Sequence, residues 1–256
     1  IHADAGTGVV QYVEWIKKSN RGATVRLAIN GMEDVSALTK DFDVMFNDTG
    51  ITIVKVLKEK KVVTIPEKIG NYNVTKIAPR AFEGSYSEKN LIEEVIIPDT
   101  VKEIGEKTFM YRQNLRNVVL PKGLKKIPKA MFCYCRELEE VIIPEGVEEI
   151  CDSAFFGCEK IKKIYFPASI TKISNLFLSD EAKGYKDLYL KSSTAYVVEK
   201  DSYAEKFLKE YKTNPMYSYK GHLGVVYEGQ TSNSITEEEK ELDKYADYTV
   251  EDDGTV

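Results

Sequence analysis

The sequence predicts an α/β solenoid, in which short units stack so that parallel strands form a sheet on one face and short helical turns lie on the other. The segment LRNVVLPKGLKKIPKAMFCYCRE (115–137) is followed directly by LEEVIIPEGVEEICDSAFFGCEK (138–160), which repeats its pattern of apolar and polar residues. A unit of 23 residues cannot bury its own apolar side. Stacked units bury it against one another, so the core becomes a column along the array.

Apolar landmarks recur through the array, and the last four prolines and last four isoleucines keep a spacing of 23 residues. A proline ends each predicted strand, an isoleucine follows it, and an aromatic residue comes next. The landmarks are Pro66, Pro98, Pro121, Pro144 and Pro167; Ile77, Ile104, Ile127, Ile150 and Ile173; and Phe82, Phe109, Phe132, Phe155 and Phe177. Because side chains alternate along a strand, Val95 and Ile97 and their equivalents in the next three units should point inward.

The regions on either side of the repeats predict closures for the two ends of the core, which stacked arrays require. We expect an N-terminal cap of helix, strand and helix over 1–46 and the solenoid over 47–192. A capping helix and closure should follow over 193–221. Residues 222–256 are acidic and poor in apolar residues, so they should form a tail or the start of a further domain.

The segment SYAEKFLKEYK predicts the capping helix. Ser202 is the expected N-cap, and Glu205 lies three residues later, as in a capping box. Tyr203, Phe207 and Tyr211 share one side of this helix and should form its apolar face.

Composition narrows the class of protein. The net charge is -5, from 36 basic and 41 acidic residues, whereas a nucleic-acid-binding protein normally has a basic excess. No apolar run reaches the roughly 18 residues that span a bilayer. The chain begins at Ile1 without a methionine, so we expect that an export signal has been removed.

The pattern L-x-x-V-x-I-P-x-x-V-x-x-I-x-x-x-A-F-x-x-C, carried by LEEVIIPEGVEEICDSAFFGC, resembles the BspA-like leucine-rich repeat family of host-associated bacteria. VVTIPEKIGNYNVTKIAPRAF and STAYVVEKDSYAEKFLKEY resemble the first repeat and the C-terminal closure of that family. The resemblance covers about residues 50–213. It implies a right-handed leucine-rich-repeat solenoid on a secreted or surface-displayed protein, with no catalytic machinery in the repeats. Some family members bind host matrix proteins such as fibronectin or fibrinogen, or other bacteria.

The four cysteines leave two alternatives open. Cys135 and Cys158 occupy the same position in successive units. They could form a disulfide between neighbouring strands, or a ladder of small buried thiols, which we favour. Cys133 and Cys151 are not equivalent to each other, and no cysteine spacing is typical of a zinc site.

Polar residues offer little material for catalysis. His2 and His222 lie near opposite ends, so a histidine-based triad or zinc-bound water is not expected. Carboxylates form stripes: Glu139 and Glu140 should face Lys162 and Lys163 of the next unit, as surface charge pairs. We therefore predict no catalytic, cofactor-binding or metal-binding residue.

One outward column of the predicted sheet is apolar where repeats of this family commonly have a small polar residue. It contains Ile96, Val119, Ile142, Tyr165 and Tyr189. Exposed apolar and aromatic stripes usually mark a partner site, and the two tyrosines would be its anchors. Alternatively, these residues merely suit a strand, or a cap or tail covers them.

The sequence thus predicts a monomeric, non-catalytic adhesion module that binds a protein, with a host extracellular-matrix protein as one possible partner. No nucleic-acid partner is expected. The alternative is a passive spacer that displays another domain, with the junction near His222. A glycan-active enzyme would need a pocket with paired carboxylates or a metal, which these residues do not provide.

Overall fold

The computed structural model describes residues 2–3, 28–29, 40–47, 49–85, 90–174, 195–213 and 224–227. In the N-terminal region it shows a parallel pair, β1 (His2–Ala3) and β2 (Ala28–Ile29). The helices predicted over 1–46 fall outside the described residues, except that residues 40–42 form a turn and the start of a strand.

A hairpin leads into the repeats. The hairpin strands β3 (Phe42–Asn47) and β4 (Gly50–Val56) are antiparallel, and β4 continues in parallel with β7 (Tyr72–Ile77). A short strand, β6 (Lys68–Ile69), pairs antiparallel with β7. Strand β3 was not expected, although Phe42, Val44 and Phe46 alternate in the sequence and are buried.

The first strand of each unit joins a parallel, in-register ladder, as predicted. Two sheets make up this ladder, β5-β8-β10 and β12-β14-β16-β17. Their strands are β5 (Val62–Thr64), β8 (Glu94–Ile96), β10 (Asn117–Val119), β12 (Glu140–Ile142), β14 (Lys163–Tyr165), β16 (Ala195–Val198) and β17 (Gly224–Tyr227). The strand beside β14 is β16, from the segment predicted as closure.

A second ladder, not predicted, runs through the isoleucine landmarks. It pairs β7 with β9 (Glu103–Ile104), and separately β11 (Lys126–Ile127), β13 (Glu149–Ile150) and β15 (Lys172–Ile173). Cys151 N donates to Ile127 O at 3.0 Å, and Gly105 N donates to Ile77 O at 2.9 Å. The equivalent residue between them is Pro128, which has no N–H to donate. This explains why β9 and β11 are not paired.

The phenylalanines lie on turns that form a third set of backbone bonds between units. Phe109 N donates to Met131 O and Phe132 N to Ala154 O, both at 2.9 Å. Lys107 has a φ of 58° in this turn, and right-handed helix requires negative φ. The predicted helical turns are therefore not confirmed, and the predicted handedness and end caps stay predictions.

The core is a continuous column, as the periodicity predicts. Phe132 stacks between Phe109 and Phe155, with ring centroids 5.7 and 5.6 Å apart. The predicted inward strand residues are all buried: Val95, Ile97, Val118, Leu120, Val141, Ile143, Ile164 and Phe166.

The predicted C-terminal helix is α1 (Tyr203–Thr213). Ser202 Oγ accepts a hydrogen bond from Glu205 N at 3.2 Å, which confirms the N-cap. The predicted apolar face is wrong in one respect, because Tyr203 is 41% exposed while Ala204 and Leu208 are buried. Residues four apart on a helix share a face, and here that pair meets the core.

Candidate interaction surface

The predicted outward stripe is continuous across the first ladder over four strands. Ile96 is in register with Val119, and Ile142 with Tyr165. Between the two pairs, Glu139 N donates to Arg116 O at 3.3 Å, so β10 and β12 are neighbours. Ile142 is 62% exposed and Val119 45% exposed, and both Ile96 and Tyr165 are half-buried.

The ends of this stripe differ from the prediction. Thr64 is in register with Ile96 at one end. At the other end Val197 is in register with Tyr165, so a residue of β16 occupies the place expected for Tyr189. Tyr189 itself falls outside the described residues. Partner binding by the stripe stays a prediction.

The column beside the stripe is polar. It contains Glu94, Asn117, Glu140 and Lys163, which are in register in the same strand pairs. Asn117 Nδ2 donates to Glu94 Oε1 at 2.8 Å. The apolar stripe is thus one residue wide on this side, and any partner that covers it must also meet charged side chains.

A buried polar cluster surrounds Arg112, and it was not expected from the sequence. Arg112 is only 3% exposed. Its Nη1 pairs with Glu59 Oε1 and donates to Asn90 Oδ1 at 3.2 Å, and its Nη2 donates to Glu83 O at 3.3 Å. A possible signal was its position, because Arg112 lies 23 residues before Cys135. With its donors committed to these partners, this guanidinium joins parts of the fold and offers no free charge for a ligand.

The cysteine ladder is formed by buried thiols. Each of the four cysteines lies outside any disulfide in the structure. Cys135 Sγ donates to Phe109 O and Cys158 Sγ to Phe132 O, both at 3.1 Å. Burial raises the pKa of both thiols. Because the thiolate is the reactive form, neither is suited to be a nucleophile.

Within the residues that the structure describes, no group of three or more His, Cys, Asp or Glu side chains could hold a metal ion. The part of the chain with described coordinates also has no helix that is long and apolar enough to cross a membrane. The side chains of His2 and His222 are not among those described.

Comparison with solved structures supports the fold. A leucine-rich repeat protein of T. pallidum is 25% identical, with a TM-score of 0.52 over 62% of this chain and 69% of that one. A leucine rich cell surface protein of Faecalibacterium prausnitzii is 21% identical, also with a TM-score of 0.52, over 72% of this chain and 44% of that one. The chain thus spans less than half the length of the second protein. No curated protein matches it.

Family comparison agrees with the repeat pattern. Residues 57–184 match the BspA type leucine-rich repeat region in six copies, which is half of the chain. The match includes strands β5, β8, β10, β12 and β14 and the phenylalanine column described above, and β16 and β17 lie beyond it. The chain therefore belongs to the BspA-type leucine-rich repeat family.

Proposed function

We propose that this chain is a non-catalytic module of a bacterial surface protein that binds a partner protein through the outward stripe of Ile96, Val119, Ile142 and Tyr165. The observation that carries the proposal is the exposure of Ile142 and Val119 on adjacent strands, beside a column of polar residues. Repeats of this family are generally non-catalytic, and the likeness to a cell surface protein of F. prausnitzii supports display outside the cell. A host matrix protein is the partner class that we propose.

The polarity of the surface around the stripe fits a hetero-partner better than a dimer of this chain. Homodimer interfaces are more apolar than non-obligate interfaces, and here four partly exposed apolar side chains in single file lie beside a charged column. We therefore propose a monomer. A partner would gain a small apolar anchor at Ile142 and the remaining contact area from the charged column beside it.

Immobilised fibronectin and fibrinogen test this proposal with three variants of the chain. Ile142→Ser and Tyr165→Ser remove apolar surface from the stripe. Leu57→Ser is the matched control, because Leu57 is 57% exposed but lies after β4, outside the stripe. Substitution of an anchor residue should lower the affinity by about tenfold or more. Because Ile142 and Leu57 are exposed, their substitution should leave the thermal midpoint nearly unchanged.

The outcomes separate the proposals. Loss of binding in the two stripe variants with binding retained by Leu57→Ser supports the stripe. Equal binding by all variants assigns the site to another surface. If the original chain binds neither protein, the alternative is favoured, namely a passive spacer whose role is to display another domain.

A further inference from the structure

Neighbouring units of the array carry opposite net charge. We define unit II as 92–114, unit III as 115–137, unit IV as 138–160 and unit V as 161–174. Unit II has five acidic and three basic residues, unit III one acidic and six basic, unit IV seven acidic and one basic, and unit V three basic only. The sign therefore alternates from unit to unit along the stack.

Because the net charge alternates, residues at equivalent positions of adjacent units form ion pairs. Between units III and IV the pairs, each joining residues 23 apart, are Lys125–Glu148 at 3.1 Å, Lys129–Asp152 at 3.8 Å, Arg136–Glu159 at 3.2 Å and Glu137–Lys160 at 2.9 Å. Between units IV and V they are Glu139–Lys162 at 2.8 Å and Glu149–Lys172 at 2.5 Å. Unit II meets unit III through Asp99–Lys122 at 3.9 Å.

The apolar core alone does not determine which units stack on one another. The units share their strand, isoleucine and phenylalanine columns and differ at a few buried positions, so a strand that pairs with the wrong unit in the same phase still buries its apolar face. Unit II could pack on unit IV, or unit III on unit V, with phenylalanine over phenylalanine as in the native stack. The shared columns therefore favour the native order of the units only weakly.

The charges of the units favour the native order over these alternative orders. Unit II against unit IV would place five pairs of like charges opposite each other and only one attractive pair, Lys102 with Glu148. The like-charge pairs are Glu93 with Glu139, Glu94 with Glu140, Asp99 with Glu145, Glu103 with Glu149, and Glu106 with Asp152. Unit III against unit V would oppose Arg116 to Lys162 and Lys126 to Lys172. Like charges directly opposite on paired strands are destabilising, whereas native neighbours gain from each pair.

We infer that the alternating charge of the units specifies which units stack on one another, within one chain and between copies of it. Exposed pairs contribute little individually to the stability of the native state. Their effect lies in raising the free energy of mispaired arrays, which is a form of selection against alternative structures.

Two rearranged chains of nearly identical composition test this inference. In the exchange variant, residues 115–137 and 138–160 trade places, which gives two acidic units followed by two basic units. In the core-exchange variant, only buried residues that differ trade places, and all charges keep their native order. Those residues are Leu120 with Ile143, Leu124 with Val147, Ala130 with Ser153, Met131 with Ala154, and Cys133 with Phe156.

The measurements are the urea midpoint and the monomer fraction by gel filtration, in about 0.05 M and about 0.5 M NaCl. The exchange variant should unfold at a midpoint lower by about 1 M in low salt, or fail to yield monomer, and high salt should narrow the gap. The core-exchange variant should lie closer to the original chain. The inference is overturned if the exchange variant has the same urea midpoint and monomer fraction as the original chain, or if both variants lose stability equally. It is also overturned if the lower midpoint of the exchange variant does not rise in high salt.

Discussion

Arg112 and Cys135 occupy equivalent positions in successive units and make the same hydrogen bond with different chemistry. Arg112 Nε donates to the carbonyl oxygen of Phe82, as Cys135 Sγ donates to that of Phe109. The guanidinium of Arg112 also donates a hydrogen bond to Glu59, which lies 53 residues earlier in the sequence. One position of the repeat therefore serves as core filler in one unit and as a long-range connection in another.

Replacing Arg112 should destabilise the fold much more than replacing an exposed arginine. Arg112→Ala leaves Glu59 and Asn90 without the guanidinium, and loss of one partner of a buried pair costs about 3 kcal/mol at the low end. The control is Arg80→Ala, which removes a surface pair with Glu83 at 3.0 Å and should cost less than about 1 kcal/mol. Urea unfolding measures both, and equal costs would show that the buried cluster contributes nothing special.

The buried thiols should be protected in the native protein. Burial raises the pKa of Cys135 and Cys158, and Cys133 is also buried, whereas Cys151 is half-buried. A thiol reagent at about pH 8 should modify Cys151 first and the other three only after unfolding. Unfolding without reductant should release all four thiols. A total of two would instead show that a disulfide forms.

The phenylalanine column should respond strongly to truncation at its centre. Phe132 is fully buried and stacks on both neighbours, so Phe132→Ala leaves a cavity that neither adjacent unit can fill. We expect a loss of about 3–5 kcal/mol. Phe132→Leu retains much of the volume and should cost less than half as much. If chemical denaturation gives the two variants the same stability, the ring is not packed as described.

Two exposed carboxylates should make stability depend on pH in acid. Hydrogen bonds from Lys162 to Glu139 and from Lys61 to Glu93 lower the pKa of each carboxyl below its ordinary value of 4.5. A lowered folded-state pKa stabilises the protein above about pH 4.5, and this contribution is lost as the pH falls through the folded-state pKa. Glu139→Gln combined with Glu93→Gln should therefore lower the urea midpoint near pH 7. The difference from the original chain should vanish near pH 3, and one that persists there would have another cause.

The N-cap of α1 should stabilise this helix. Ser202 Oγ accepts from Glu205 N, and Glu205 Oε2 accepts from Asp201 N at 2.6 Å. Ser202→Ala removes the first bond and should cost about 1 kcal/mol, whereas Ser202→Asp should retain it. Thermal unfolding compares the two, and equal midpoints would show that the cap is not formed in solution.

Local chemistry made the core and the helix cap predictable. Val95, Phe132 and their equivalents recur at the period of the unit, and the alternation of a strand decides which face each takes. Ser202 and Glu205 act on backbone groups a few residues away. In the stripe, Ile96, Val119, Ile142 and Tyr165 follow from the same alternation, since a residue between two buried neighbours must point outward.

Other features depend on which distant segments meet. The residues next to Arg112 and Glu59 in the sequence do not predict that the two side chains pair. The pair forms only when the segment before β5 packs against unit II. Val197 occupies the position predicted for Tyr189, because β14 pairs with β16. The spacing of residues along the sequence does not indicate which later segment supplies the next strand. The sequence by itself determined the repeating core and its faces, because periodic side chains act on near neighbours. Tertiary structure decided the long-range partners, because hydrogen bonds and burial there depend on contacts between segments far apart in the chain.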